Sequence, residues 1–231
     1  MLTKSGATHD LVYTTGPGHA QSLCADVKRA AYDCVISGSG DGMLHECLNG
    51  LLSTASPASA DSPRRSARKQ VAALPALAVV PIGSGNGVAD SLYGRKCGPH
   101  AALKKIIEGS AKPIDVMAMR TEGSDAITYD LHFFSWAVFA DHDYLTEQPL
   151  RFLGPVVKMI LAPIIVILRR TFYDGVVDFT PAEYPSGQQY TNPRTFPPSP
   201  DDPSMRRITD GFWCFAVGNL KVRRAEASEH K

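Results

Sequence analysis

Two glycine-rich turns hold the residues best placed to do chemistry. The first, Gly38-Ser39-Gly40-Asp41-Gly42, is followed at once by Met43-Leu44-His45-Glu46-Cys47-Leu48-Asn49-Gly50. The second, Pro81-Ile82-Gly83-Ser84-Gly85-Asn86, leads into Val88-Ala89-Asp90-Ser91-Leu92. A glycine turn lets backbone N–H groups approach phosphate oxygens because no Cβ stands in the way. The helix start that follows adds favourable potential for an anion. Gly40, Gly42, Gly83 and Gly85 suit that role, and Ser84 and Asn86 supply side-chain donors. Asp41 is the unusual member, since an acid in such a turn repels the anion unless it has another task. It can bind Mg²⁺ or accept a proton from an attacking hydroxyl, as the catalytic aspartate does in phosphoryl transfer. The competing role is an Asx turn or a helix cap. Glu46 reads as a salt-bridge partner or a loop anchor, and His45 as a packed or solvated histidine. The paired turns predict a nucleotide phosphate held beside an acid, in a kinase without a Walker loop.

The elements around these turns alternate. Leu11 to Thr15 reads as a short strand ended by Gly16-Pro17-Gly18. His19 to Ala31 has helical spacing, with Leu23, Val27 and Ala30 on one face. Cys34 to Ser37 is apolar in nearly every position, as in a parallel strand covered on both sides. The helix after the first turn points Met43, Leu44, Cys47, Leu48 and Leu51 inward. Leu77 to Pro81 is the next strand, and helices begin at Val88 and at His100. This alternation predicts a doubly wound α/β domain with a parallel sheet over residues 1–111. Residues 53–73 are rich in Ser, Ala, Pro and Arg and read as a solvated, mobile insert. The pattern then changes. Pro113 to Arg120, Ile127 to Ala140, Phe172 to Thr180 and Phe212 to Val217 read as strands of a second, mostly antiparallel β domain over 112–231. Residues 181–205 hold seven prolines and read as a loop.

Bulk properties exclude several classes. The chain has 231 residues and a net charge of +1, which calls for no nucleic-acid partner. Its five cysteines form no CxxC pair, so free thiols are expected rather than disulfides or a zinc site. The opening MLTKSGATHD has no apolar signal core, and secretion is not expected. The apolar run Gly154 to Leu168 contains Lys158 and Pro163 and is too short to span a bilayer. Two readings of it stay open: a buried core element, or the wall of a lipid pocket.

Three blocks together, Asp33 to Leu51, Leu74 to Leu92 and Ser135 to Gly154, resemble the diacylglycerol kinase catalytic family of lipid kinases. Ser135 to Gly154, with its Trp136, its Ala140-Asp141-His142-Asp143 run and Arg151 ahead of Gly154, is most similar to the sphingosine kinase branch. The resemblance implies that Asp41 deprotonates the primary hydroxyl of a lipid. It implies nucleotide binding by Thr14, Gly40, Gly42, Glu46, Gly83, Ser84, Gly85, Asn86 and Arg151. It also implies that Asp143 pairs with the amine of a sphingoid base, which a carboxylate selects over a neutral diacylglycerol. ATP and Mg²⁺ are the implied cofactors, and no protein metal site is assigned. A cytoplasmic protein that visits membrane surfaces follows from a lipid substrate with no lipidation motif. A diacylglycerol kinase, a ceramide kinase and an inactive relative are the alternatives. The family's first strand with its Asn-Pro loop, and its late Asp-Gly motif, have no match here. The chain is therefore expected to be incomplete at both ends of the fold and of marginal stability.

Overall fold

The computed structural model describes residues 2–27, 31–53, 74–109, 111–121, 123–124, 126–148, 150, 152, 154–180 and 196–218. The chain divides into two compact units, residues 1–134 with 218–231, and residues 135–217.

The first unit is built around two parallel strands, β1 (Cys34–Ser39) and β2 (Ala76–Pro81), paired from Cys34 opposite Ala76 to Ser39 opposite Pro81. Parallel strands need a crossover, and this one starts with helix α2 (Asp41–Ser53). Apolar residues three and four apart give α2 two buried stripes. Leu44, Leu48 and Leu52 join Val79, Val88, Ala89 and Leu131 in the main core. Cys47 and Leu51 join Ala20 and Cys24 of helix α1 (His19–Ala25) in a smaller one. The approach of α1 to α2 depends on Gly50, where an added Cβ would lie 2.7 Å from Cys24 Cβ. Helices α3 (Gly87–Tyr93) and α4 (Pro99–Glu108) follow β2 and pack on it. The antiparallel pair β3 (Met117–Arg120) and β4 (Ile127–Asp130) then lays β4 on α2. The α/β frame expected from the strand–helix alternation is thus the architecture of this unit.

The second unit is reached along β5 (Phe133–Ala137), which pairs with β8 (Cys214–Gly218). Helices α5 (Val138–Glu147) and α6 (Pro155–Arg169) follow, and Leu145, Leu150, Ala162 and Val166 form their shared core. β6 (Tyr173–Phe179) and β7 (Arg206–Phe212) pair antiparallel, with Tyr173 opposite Phe212. Trp136 packs against both of those rings, at centroid distances of 5.9 and 5.7 Å. Gly175 leaves the room, since a Cβ there would meet the indole at 2.7 Å. Arg207 clamps β7 to β6 through a bidentate pair with Asp178, at 2.8 and 2.6 Å, and also reaches Asp201.

Several expectations change. Leu11 to Thr15 is not a strand: Leu11, Val12 and Tyr13 are exposed, with no partner strand among the described residues. Helix α1 stops at Ala25 and buries Ala20 and Cys24 rather than Leu23, because α2 offers Cys47 and Gly50 to that face. Residues 127–140 are two strands and a helix start, not one strand, because the chain turns at Leu131 and His132. Residues 112–134, grouped with the second domain by their composition, lie in the first unit, where Leu131 completes its core. The 154–168 run is one helix with two faces. Ala162 and Val166 are buried, while Ile160, Ile164, Ile167 and Leu168 are exposed. No helix among the described residues is long and apolar enough to cross a membrane. Most of the insert (54–73), residues 181–195 of the proline-rich loop, and the tail from 219 lie outside the described residues.

Candidate active site

The two glycine turns meet because both leave adjacent, parallel strands at the same end. Gly40 follows β1 and Ile82 follows β2, and the backbones join there: Asp41 N–H donates to Gly85 O at 3.1 Å and Ile82 N–H to Ser39 O at 3.4 Å. The glycines divide into two kinds. Gly40 and Gly83 are in backbone contact, so a Cβ on Gly40 would lie 2.5 Å from Gly85 O, and one on Gly83 would strike the Gly40 backbone. These two hold the turns together. Gly42 has nothing within 4 Å of its Cβ position, and Gly85 only Asp41 Oδ2 at 3.7 Å. These two leave the open cradle that a phosphate can enter. Ser84 is exposed beside it. Asn86 closes the second turn on itself, accepting from Gly83 N–H at 3.2 Å and donating to Gly83 O at 2.7 Å.

Asp41 is the first residue of α2, and its carboxylate reaches across to α3. Oδ2 accepts from Gly87 N–H at 2.7 Å and Oδ1 from Val88 N–H at 3.0 Å. The acid therefore caps the neighbouring helix, satisfying two N–H groups with no partner inside that helix. Each carboxylate oxygen keeps a further lone pair for a second donor. The cap therefore leaves the carboxylate able to accept from a further donor.

Glu46 is one turn further along α2 and accepts from Gly18 N–H at 2.9 Å. It anchors the Gly16-Pro17-Gly18 turn, which His19 Nδ1 also braces by accepting from Thr15 N–H at 2.9 Å. Thr14 is half-buried ahead of that turn.

A cavity of about 230 Å³ opens beside Asp41 and Gly42, with His45, Asp130 and His132 on its wall. His45 Nδ1 lies 2.9 Å from Asp130 Oδ2, and Asp130 Oδ1 accepts from His132 N–H at 2.6 Å. Asn49, a turn below His45, ties α2 to β4: it donates to His45 O and Tyr129 O and accepts from Tyr129 N–H. The hydrogen bond that His45 makes to the Asp130 carboxylate raises the His45 pKa above its ordinary value, against the opposing effect of burial. Burial alone would raise the Asp130 carboxyl, but the hydrogen bonds from His45 and His132 outweigh it and hold it below its ordinary value. His45 was read as packed or solvated, and Asp130 was not singled out. The i, i+4 spacing of Asp41 and His45 was the available clue. Nothing local marks Asp130, which is 85 residues away from its partner.

In the second unit, Asp141 and Asp143 lie in the first turns of α5. Asp141 accepts from the Tyr173 hydroxyl at 2.7 Å and so serves the fold. The Asp143 side chain is 70% exposed, and among the described residues its ion-pair neighbour is His142 Nδ1 at 3.3 Å. Ala137, where β5 passes into α5, has a positive φ of 64°, a strained backbone for a residue with a Cβ. Arg151 lies outside the described residues. Among the described residues, no group of three or more His, Cys, Asp or Glu side chains is arranged to hold a metal ion.

Residues 1–119 match the diacylglycerol kinase catalytic domain family. The chain is 31% identical to sphingosine kinase 2 of Arabidopsis thaliana over 179 residues, which cover 76% of this chain and 33% of that protein. It is 22% identical to the ceramide kinase of Mus musculus over 192 residues, covering 83% of this chain and 35% of that one. A solved structure from Bacillus anthracis str. Sterne, assigned provisionally to the diacylglycerol kinases, superposes with a TM-score of 0.57 at 21% identity, covering 95% of this chain and 56% of that one. The chain thus spans about a third of the length of these two curated relatives.

Proposed function

The chain belongs to the diacylglycerol kinase catalytic domain family, and from that premise we propose that it transfers the γ-phosphoryl group of ATP to the primary hydroxyl of a sphingoid base. The observation that carries this reading is the junction of the two glycine turns, with Asp41 at its centre and open approach at Gly42 and Gly85. Phosphoryl transfer needs little covalent help from a protein. Its catalysis is mostly positioning and charge neutralisation. The backbone at Gly42 and Gly85, with Ser84, would seat the phosphates. Asp41, held rigid by two N–H donors, would orient the lipid hydroxyl and draw off its proton. Mg²⁺ would come with the triphosphate, since this ion is usually held by substrate phosphates, water and one or two carboxylates. When bound, it neutralises charge that builds on the phosphate oxygens.

The sphingoid base is favoured over a neutral lipid by Asp143. An exposed carboxylate with one weak neighbour among the described residues can pair with an ammonium. Asp141, already bonded to Tyr173, is less free to do so. The names of the curated relatives point the same way, most of them to sphingosine or sphingoid bases and one to ceramide. The exposed face of α6, with Ile160, Ile164, Ile167 and Leu168, offers apolar surface for an acyl chain or a lipid surface. A cytoplasmic protein that meets membranes peripherally fits such a substrate.

Phosphate transfer from labelled ATP·Mg²⁺ to sphingosine and to diacylglycerol tests this reading. The expected result is transfer to sphingosine that is lost in Asp41→Asn. Asparagine keeps an acceptor oxygen for α3 but cannot take a proton. Preferred transfer to diacylglycerol would overturn the lipid assignment, and an undiminished Asp41→Asn would overturn the role of the acid.

A further inference from the structure

We propose that His45, oriented by Asp130, is the terminal proton acceptor of the transfer, so that the proton leaving the lipid hydroxyl beside Asp41 ends on His45 Nε2. This rests on the kinase reading and deepens it. Four observations carry the proposal. His45 and Asp41 are one turn apart on α2 and line the same cavity of about 230 Å³. Asp130 occupies His45 Nδ1 at 2.9 Å, which leaves Nε2 as the acceptor of the neutral ring. Nε2 has no hydrogen-bond partner among the described residues. Asp130 is itself locked by His132 N–H at 2.6 Å, so the pair presents one ring orientation.

The chemistry explains why a second group is useful. Both oxygens of Asp41 already accept a backbone N–H, so a proton resting there competes with the cap of α3. The step balances as follows. The O–H bond of the lipid breaks while its oxygen forms a bond to the γ-phosphorus. The bond from that phosphorus to the bridging oxygen breaks, and the nucleoside diphosphate leaves with those electrons. The proton passes to Nε2, and the imidazolium is neutralised by Asp130. The His45 side chain is 38% exposed, so the proton then returns to solvent. The titratable groups around this ring are Asp130 and His132 from β4 and the turn after it, with Asp41 and Glu46 from α2. The α3 side of the wall contributes Val88, which does not titrate.

The test is the pH profile of kcat and kcat/KM for sphingosine phosphorylation by the full chain, its His45→Gln and Asp130→Asn variants, with KM for ATP and melting temperature measured alongside. The wild-type profile should show an acid limb above the ordinary histidine value, because the base works only when neutral. His45→Gln should keep its KM for ATP, lose that limb and lower kcat roughly a hundredfold, the usual size of a general-base effect. Asp130→Asn should move the limb to lower pH. A His45→Gln enzyme with wild-type kcat and the wild-type limb, or one that only melts earlier, overturns the proposal and leaves the kinase reading standing. Absence of transfer by the folded wild-type chain overturns the kinase reading, and this inference with it.

Discussion

At the scale of single residues, the glycines of the two turns do different work. Gly40 and Gly83 are filled against by backbone, whereas Gly42 and Gly85 face open space or one carboxylate oxygen. Alanine should therefore act oppositely at the two kinds of position. Gly40→Ala puts a methyl 2.5 Å from Gly85 O, and overpacking of this kind costs about 1–3 kcal/mol. Gly85→Ala should leave stability within about 0.5 kcal/mol, because its nearest neighbour can accept ordinary contact. It should instead raise KM for ATP, since the new Cβ enters the cradle. Urea denaturation and ATP kinetics on the two variants separate these effects. Equal loss of stability in both, with unchanged KM in Gly85→Ala, would remove the cradle assignment.

At the scale of elements, the tie between α2 and β4 holds the cavity in shape. It consists of the Asn49 bonds and the His45–Asp130 pair. The pair makes stability depend on pH in a defined direction. His45 titrates above its ordinary 6.5, so its contribution is complete below that value and fades as pH rises through the raised one. Asp130 titrates below its ordinary 3.8, so its contribution is present above that value and is lost as pH falls through the lowered one. Both describe one interaction, at full strength from roughly pH 4 to 6.5. Asp130→Asn should therefore melt below the wild type by more at about pH 5.5 than at about pH 8.5. His45 is more than a third exposed, so solvent screening limits the difference to about 1 kcal/mol or less. A gap that is the same at both pH values would mean that the pair is not ionised in the folded protein.

At the scale of the whole molecule, the proposed roles are divided between two units. The phosphate turns, Asp41 and His45 belong to the first, and Asp143 to the second. That division predicts separable kinetics. Asp143→Asn should raise KM for sphingosine by about tenfold or more, the loss of a charge-assisted contact, while KM for ATP stays constant. Its effect on a neutral lipid should be small. Matched losses for sphingosine and for diacylglycerol would show that Asp143 acts on folding rather than on the ammonium. The exposed side chain argues that its replacement leaves the second unit intact. That unit is held instead by the buried α5–α6 core and by the packing of half-buried Trp136 on Tyr173 and Phe212.

Local pattern determined a good deal of this protein. The runs before each glycine turn, the inward set of α2 from Met43 to Leu51 and the helix starts near Val88 and His100 were all legible, because side-chain period and glycine placement are short-range signals. The candidacy of Asp41 was legible for the same reason, as an acid out of place among glycines. Tertiary structure alone decided which glycines seal the turns and which stay open, since that depends on a partner turn after a different strand. It alone gave the Asp41 carboxylate to α3 and Asp130 to His45, pairings 46 and 85 residues apart with no periodicity to announce them. It also withdrew Leu11 to Thr15 from the strands and bent 127–140 into two strands and a helix start. Strand propensity in a short segment counts for little until a neighbour accepts its backbone hydrogen bonds.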